Sequence, residues 1–338
     1  MKNKSSETKT PQKKRNICAI AKLAGVSPAT VSRALNNHPY VTKEVHDRIF
    51  DAVHQLGYQP RTPSDKKRLA IIINDRSGAP LNSYDSSMLY HLTCQCDRNG
   101  ITTEIFTYSN MELLEENFLS VAITFQQLLT EQDLKRYSYT RFITINDQVP
   151  GGFSVHSDER QGIQLALEHL RESGHRRIAL LLPNLGDNCS VARRRQAFLD
   201  FSAEAGFQDA ESLVTCLEQN PVEAIAKLMR TRKPDALLIA GEDMLFQTNY
   251  AVNMLGLNVP DDLSIISYEN YYASACMTPP HTTVAQNFEQ LAALAVQRAL
   301  DVFAGLDIAE NSEVVLPNTL ILRDSVKKRF YGNSRNIK

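Results

Sequence analysis

Between Gly25 and Asn37 the chain reads GVSPATVSRALNN, and the side chains it would turn outward suit contact with a polyanion better than bond-making chemistry. Arg33 carries five donors in a fork that fits a phosphate or a guanine edge, Ala29 offers a methyl-sized contact for a thymine methyl, and Pro28 has no backbone donor. Asn16, Ser27, Thr30, Ser32 and Tyr40 carry polar groups of the kind that fix register on phosphates without reading bases. Ile17 and Asn36 complete the same surface. Constellations for catalysis are missing by comparison. The chain has no G-x-x-x-x-G-K-[ST], no G-x-S-x-G, no H-E-x-x-H and no carboxylate pair at useful spacing, and NDRSGAP (74–80) holds a single glycine. Cys18, Cys94, Cys96, Cys189, Cys216 and Cys276 form no C-x-x-C. His91 stands one helical turn before Cys94, a weak metal pattern, but Leu89, Leu92 and Cys96 share that face and read as core. No metal, no cofactor and no enzyme activity are expected.

The elements that must hold the outward face are short helices. Ile17, Ile20, Ala21 and Ala24 recur at the spacing of one apolar stripe, Ser27 and Pro28 suit a helix start, and Val31, Ala34 and Leu35 face inward. A third helix is capped by Thr42, striped by Val45, Ile49, Ala52, Val53 and Leu56, and stopped at Gly57. Three helices of this size make a helix-turn-helix domain over 16–60. Charge separates it from the rest. Met1 to Arg68 hold fourteen Lys and Arg against five Asp and Glu, a balance of +9, whereas the remainder carries 23 against 33, or −10. A basic head of this kind binds polyanions by releasing counterions. Residues 1–15 read as a disordered basic arm and not as a signal peptide, and no apolar run is long enough for a membrane span, so the expected location is the cytoplasm with no membrane partner.

From Leu69 the texture becomes strand and helix in alternation. LAIIIN (69–74), TTEIFTY (102–108), SVAITF (120–125), RFITIN (141–146), RIALLLP (177–183), ALLIA (236–240) and LSIISY (263–268) are strand candidates, separated by amphipathic stretches such as 159–173, 191–206, 222–232 and 245–256. The fold class expected is an all-α head plus an α/β core of two doubly wound parallel sheets, about what ~270 residues fill at ~100 to 200 residues per domain. Ligands bind such sheets at the carboxyl ends of the strands.

ICAIAKLAGVSPATVSRALNN followed by VTKEVHDRIFDAVHQLGYQP resembles the DNA-binding head of the lactose repressor family of bacterial transcription regulators. ALEHLRESGHRRIALLLP (166–183), NVPDDLSIISYEN (258–270) and PPHTTVAQN (279–287) resemble that family's core signatures in order. The resemblance implies a homodimeric repressor on a near-palindromic double-stranded DNA operator. It also implies a core resembling periplasmic sugar-binding proteins over 69–330, divided as 69–156 with 288–316 and 157–287 with 317–330, and a tail at 331–338. A sugar, nucleoside or related metabolite between the subdomains would be the effector. Arg194, with Phe198 four residues on, matches the arginine that reaches the ligand, and Ser190 lies one turn before it. Arg193, Arg194 and Arg195 cannot all face one way, so the other reading of the triplet is a solvated helix face. Glu269 takes the place of a common aspartate, Gly241 that of an asparagine and Thr144 that of an occasional aspartate, with Asn82 and Tyr84 as substitute contacts.

Two further places depart from the family. The linker at 61–68, RTPSDKKR, carries Lys67 where a minor-groove leucine belongs, so an ordered hinge helix is not expected. Lys66, Lys67 and Arg68 are then phosphate contacts, and the head is loosely tethered. Only Ser109 to Leu119 join the second and third strands, so the helix between them must be short or absent. Two alternatives stay open: a regulator controlled by a protein partner with no small-molecule effector, and a sugar-metabolising enzyme with a regulatory head.

Overall fold

The computed structural model describes residues 17–35, 40–56, 58, 67–75, 81–125, 129–149, 152–184, 189–217, 220–241, 244–268, 271–306 and 312–329. The head is three helices, α1 (Ile17–Ala24), α2 (Pro28–Leu35) and α3 (Lys43–Leu56), closed around Ile20, Val31, Ala34, Ile49 and Val53. Its apolar residues fall where the stripes put them, because a helix this short can bury one face only.

Two six-stranded sheets follow. The first is built from β1 (Lys67–Ile73), α4 (Ser83–Arg98), β2 (Ile101–Thr107), α5 (Leu113–Glu116), β3 (Val121–Phe125), α6 (Glu131–Arg136), β4 (Arg141–Ile145) and β5 (Phe153–Ser157). The second is built from α7 (Glu159–Glu172), β6 (Ile178–Pro183), α8 (Cys189–Glu204), β7 (Val214–Leu217), α9 (Pro221–Thr231), β8 (Ala236–Ile239), α10 (Met244–Met254), β9 (Ser264–Tyr268), α11 (Tyr272–Cys276) and β10 (Thr282–Ala285). The chain then returns through α12 (Phe288–Phe303) and β11 (Glu313–Leu316) to the first sheet and through β12 (Thr319–Ile321) to the second. Strand orders are β11-β5-β4-β3-β1-β2 and β12-β10-β9-β8-β6-β7, parallel except for the edge strand β12. Separate apolar clusters fill both faces of each sheet, which explains the strands' continuous apolar runs. The short strands β5, β7, β10, β11 and β12 carry no such run and are missed by sequence patterning. Their pairing comes from neighbours distant in the chain.

The order reverses between β1 and β3 in one sheet and between β6 and β8 in the other. These switch points leave crevices at the strands' carboxyl ends. Three passages link the sheets, at Ser157–Glu159, Gln286–Asn287 and Pro317–Asn318. Between β2 and β3 the helix α5 is a single turn, as the short connection requires.

Candidate nucleic-acid interface and intersubdomain cleft

The Ser27 hydroxyl accepts from the Thr30 backbone N–H at 3.0 Å and lies 2.8 Å from the Thr30 hydroxyl, so it caps α2. Both hydroxyls are engaged inside the turn. Pro28, Ala29 and Arg33 are exposed on one side of α2, Ser32 is half-buried beside them, and Tyr40 is 86% exposed in the turn before α3. Ile17 is half-buried, with its side chain packed against the head's own core. Asn16, Asn36 and Lys66 lie outside the described residues.

Two linker cations are part of β1. Lys67 is exposed at the strand's start, but Arg68 is taken: its Nε donates to Glu104 Oε1 at 2.7 Å and its Nη1 to the Asn117 carbonyl at 3.4 Å. Arg68 is therefore an anchor within the core and not a phosphate contact. Nor is the head loosely tethered, because Phe118 of the core packs against the head's apolar cluster.

The cleft's centre is Arg194, 7% exposed, on α8. Its Nε and Nη2 donate to Glu159 Oε2 and Oε1 at 2.6 and 3.1 Å, and its Nη1 to the Ala240 carbonyl at 3.2 Å. The guanidinium lies 4.0 Å above the Tyr268 ring. The structure thus separates the triplet: Arg194 faces inward, Arg195 pairs with exposed Glu211, and Arg193 donates across the cleft to Gln148 Oε1 at 2.7 Å. A buried carboxylate thus already neutralises Arg194 at the cleft's base.

Opposite stands Asn146, at the end of β4 with a left-handed φ of 53°. Its amide donates to Tyr84 Oη at 2.8 Å and to Gln286 Oε1 at 2.6 Å, its Oδ1 accepts from the Ser157 N–H at 2.8 Å, and its carbonyl accepts from Ser190 Oγ at 3.3 Å. Ser157 Oγ donates to Asn318 Oδ1 at 2.6 Å, and Asn318 Nδ2 donates to Tyr268 Oη at 3.2 Å. A continuous polar chain therefore runs from Tyr84 on one wall through all three crossings to Tyr268 and Arg194 on the other. Beside it Phe288 meets Tyr84 edge-on at 5.5 Å and Tyr271 nearly parallel at 6.3 Å, so aromatic faces from both subdomains line the same region. A second cavity of about 370 Å³ opens on the β11 side of the crossings, between His156, Glu159, Arg193, Asp200 and Glu313. Burial is the main cause of a lowered pKa at His156, whose Nε2 lies 3.3 Å from Glu313 Oε2.

Three expected contacts are corrected. The Thr144 hydroxyl donates to the Asp147 and Phe153 carbonyls at 2.9 and 3.3 Å and is fully buried, so it holds the β4–β5 loop. Asn82 accepts from the Asp85 N–H at 2.8 Å as the N-cap of α4. Gly241 sits at the β6/β8 switch point, but a Cβ there would stand 2.6 Å from Pro183 Cδ and collide with Met244, so the position presents backbone only. Glu269 lies outside the described residues. Tyr84, Ser190 and Arg194 are brought to the cleft; Glu159, Asn146, Gln286 and Asn318 are the residues sequence reasoning missed.

Residues 16–61 match the model for bacterial regulatory proteins of the lacI family, and residues 167–326 match the periplasmic binding protein-like domain. The chain belongs to the lacI family of bacterial regulatory proteins. This lacI-family member is 28% identical over 335 residues to the transcriptional repressor PurR of Haemophilus influenzae, spanning 91% of this chain and 97% of that one. It is 26% identical over 332 residues to catabolite control protein A of Priestia megaterium, spanning 91% and 98%. The lac repressor dimer bound to operator and an anti-inducer superposes with a TM-score of 0.67 at 22% identity, covering 91% of this chain and 98% of that chain. The protein is a DNA-binding transcription regulator with a helix-turn-helix head and a periplasmic-binding-like core. No helix among the described residues is long and apolar enough to cross a membrane.

Proposed function

We propose that this regulator represses transcription in the cytoplasm as a homodimer whose two heads occupy the halves of a near-palindromic operator. A small uncharged polar molecule between the subdomains modulates that binding. Ala29 and Arg33 face the bases and phosphates, and Lys67 adds a phosphate contact. Phe246, Tyr250 and Met254, exposed at i, i+4 and i+8 on α10, supply an apolar stripe of the kind a dimer covers. The reading assigns the cleft no catalysis.

The observation that carries the effector is the Asn146 network, whose hydrogen bonds reach both walls and all three crossings. A ligand replacing one of those bonds changes the relation of the subdomains directly. Its class follows from the lining. With Arg194 neutralised by Glu159, aromatic faces and amide groups favour a sugar or a nucleoside over an organic acid. The test is fluorescence anisotropy on an operator recovered from genomic fragments, titrated with neutral sugars and nucleosides. A ligand should shift affinity at least fivefold, the low end of ordinary allosteric coupling at ~1 kcal/mol, and Asn146→Ala should remove the shift. A second reading, control by a protein partner, is favoured by Thr144 and Gly241, neither of which offers the cleft a side chain. Binding that no panel or cell-extract metabolite moves would select it.

A further inference from the structure

Phe50 lies on α3 but outside the head's own apolar cluster, yet it is 8% exposed. What covers it is the core. Its ring stacks on Phe118 at 4.3 Å and 26°, and His46, one turn earlier on α3, stacks on Phe50 at 4.0 Å and 26°. Tyr139 of the core has a hydroxyl pKa pushed up to about 12, by burial first and then by the charge of the head's Tyr58. Burial holds the His46 pKa down, against the charges of Asp47 on α3 and then Glu116 on α5, which favour its charged form.

The turn that presents Phe118 is held in an unusual way. Phe118 has φ +52°, the left-handed region where an aromatic side chain is strained and glycine is not. Its N–H donates to the Glu115 carbonyl at 3.1 Å, and the Leu119 N–H donates to the Leu114 carbonyl at 2.9 Å. Arg68, the second residue of β1, ties the Asn117 carbonyl to Glu104 from the side where the chain enters the core. The single-turn α5 leaves Phe118 three residues before β3, at the amino end of the first sheet. At the other end of β3, Phe125 meets Tyr84 of the cleft network edge-on at 6.4 Å. At ~3.3 Å per residue the five residues of β3 span roughly 17 Å between head and cleft.

We propose that the His46–Phe50–Phe118 stack is a seat that fixes each DNA-binding head on its own core, so that the core and not the linker sets where the recognition helix stands. An ordinary turn would place glycine or asparagine at position 118. A phenylalanine accepts backbone strain there, and its ring is what closes over Phe50. Because α2 keeps Ala29 and Arg33 exposed, the seated head is a binding-competent one. The seat therefore governs operator spacing and does not mask the head.

The chain contains no tryptophan, so Phe50→Trp gives full-length protein a single indole fluorophore in the seat. Iodide should quench it weakly. Adding Phe118→Gly, which suits the left-handed backbone and so preserves the fold, should raise the quenching constant at least threefold. On operators whose half-sites are moved apart by one to three base pairs, the unsubstituted protein should show a sharp optimum and Phe118→Gly a broad one. The seat is overturned if the indole of the Phe50→Trp single variant quenches like a free indole, or if the glycine leaves quenching unchanged. Its positioning role is overturned if quenching rises while the spacing profile stays the same.

Discussion

Arg33 of the head and Arg194 of the cleft are the same side chain on helices of the same chain, and their surroundings give them opposite work. Arg33 stands exposed on α2, whose start is capped locally by Ser27, so its charge is available to whatever anion approaches. Arg194 is buried, held by Glu159 from 35 residues away and by Ala240 from 46, with Tyr268 under its face. The first is the group we propose for recognition; the second is a structural joint that a ligand can reach only by competing with partners already in place. An arginine's role is thus set by what has already claimed its donors.

Breaking the joint should have the largest effect. Glu159→Ala leaves a buried guanidinium without its counter-ion and should lower the core's stability by about 3–5 kcal/mol, read as a drop in the denaturation midpoint. Replacing both partners with leucine and methionine should recover most of that loss. If the single and double variants are equally stable, the pair is no joint.

Acid should next distinguish the core from a plain surface. Burial, with Arg323 second, holds the His281 pKa down to about 4. The folded state keeps the ring neutral while the unfolded chain takes up a proton below about pH 6.5. Stability is therefore full above that pH and falls as pH drops toward 4, by about 3 kcal/mol at most. His281→Leu should flatten that slope in pH-dependent urea melts.

Smaller effects belong to the head. Arg33→Ala should weaken operator binding by about 1–3 kcal/mol if it reads a base, or lower the salt slope by about one if it holds a phosphate. Anisotropy titrations at several salt concentrations separate the two, and unchanged binding would move the recognition surface elsewhere. Ser27→Ala removes the α2 cap and should cost about 1 kcal/mol of head stability, measured by thermal melting.

The sequence by itself determined everything whose cause is local. Stripes at helical spacing, the Ser27 cap, the apolar runs of the central strands and the charge split between head and body follow from residues within a few positions of one another. The single-turn α5 follows from chain length alone. Arg194 was legible only as one of three consecutive arginines, because periodicity leaves the phase of a helix open until something packs against it. Tertiary structure chose among them, and it also took Arg68 out of the basic surface, turned Thr144 inward to backbone carbonyls, and joined Asn146 to Tyr84 and Gln286 across 62 and 140 residues. It likewise set Phe118 against Phe50. A polar or aromatic side chain's function depends on which group satisfies or covers it, and that group is fixed only when strands distant in the chain come together.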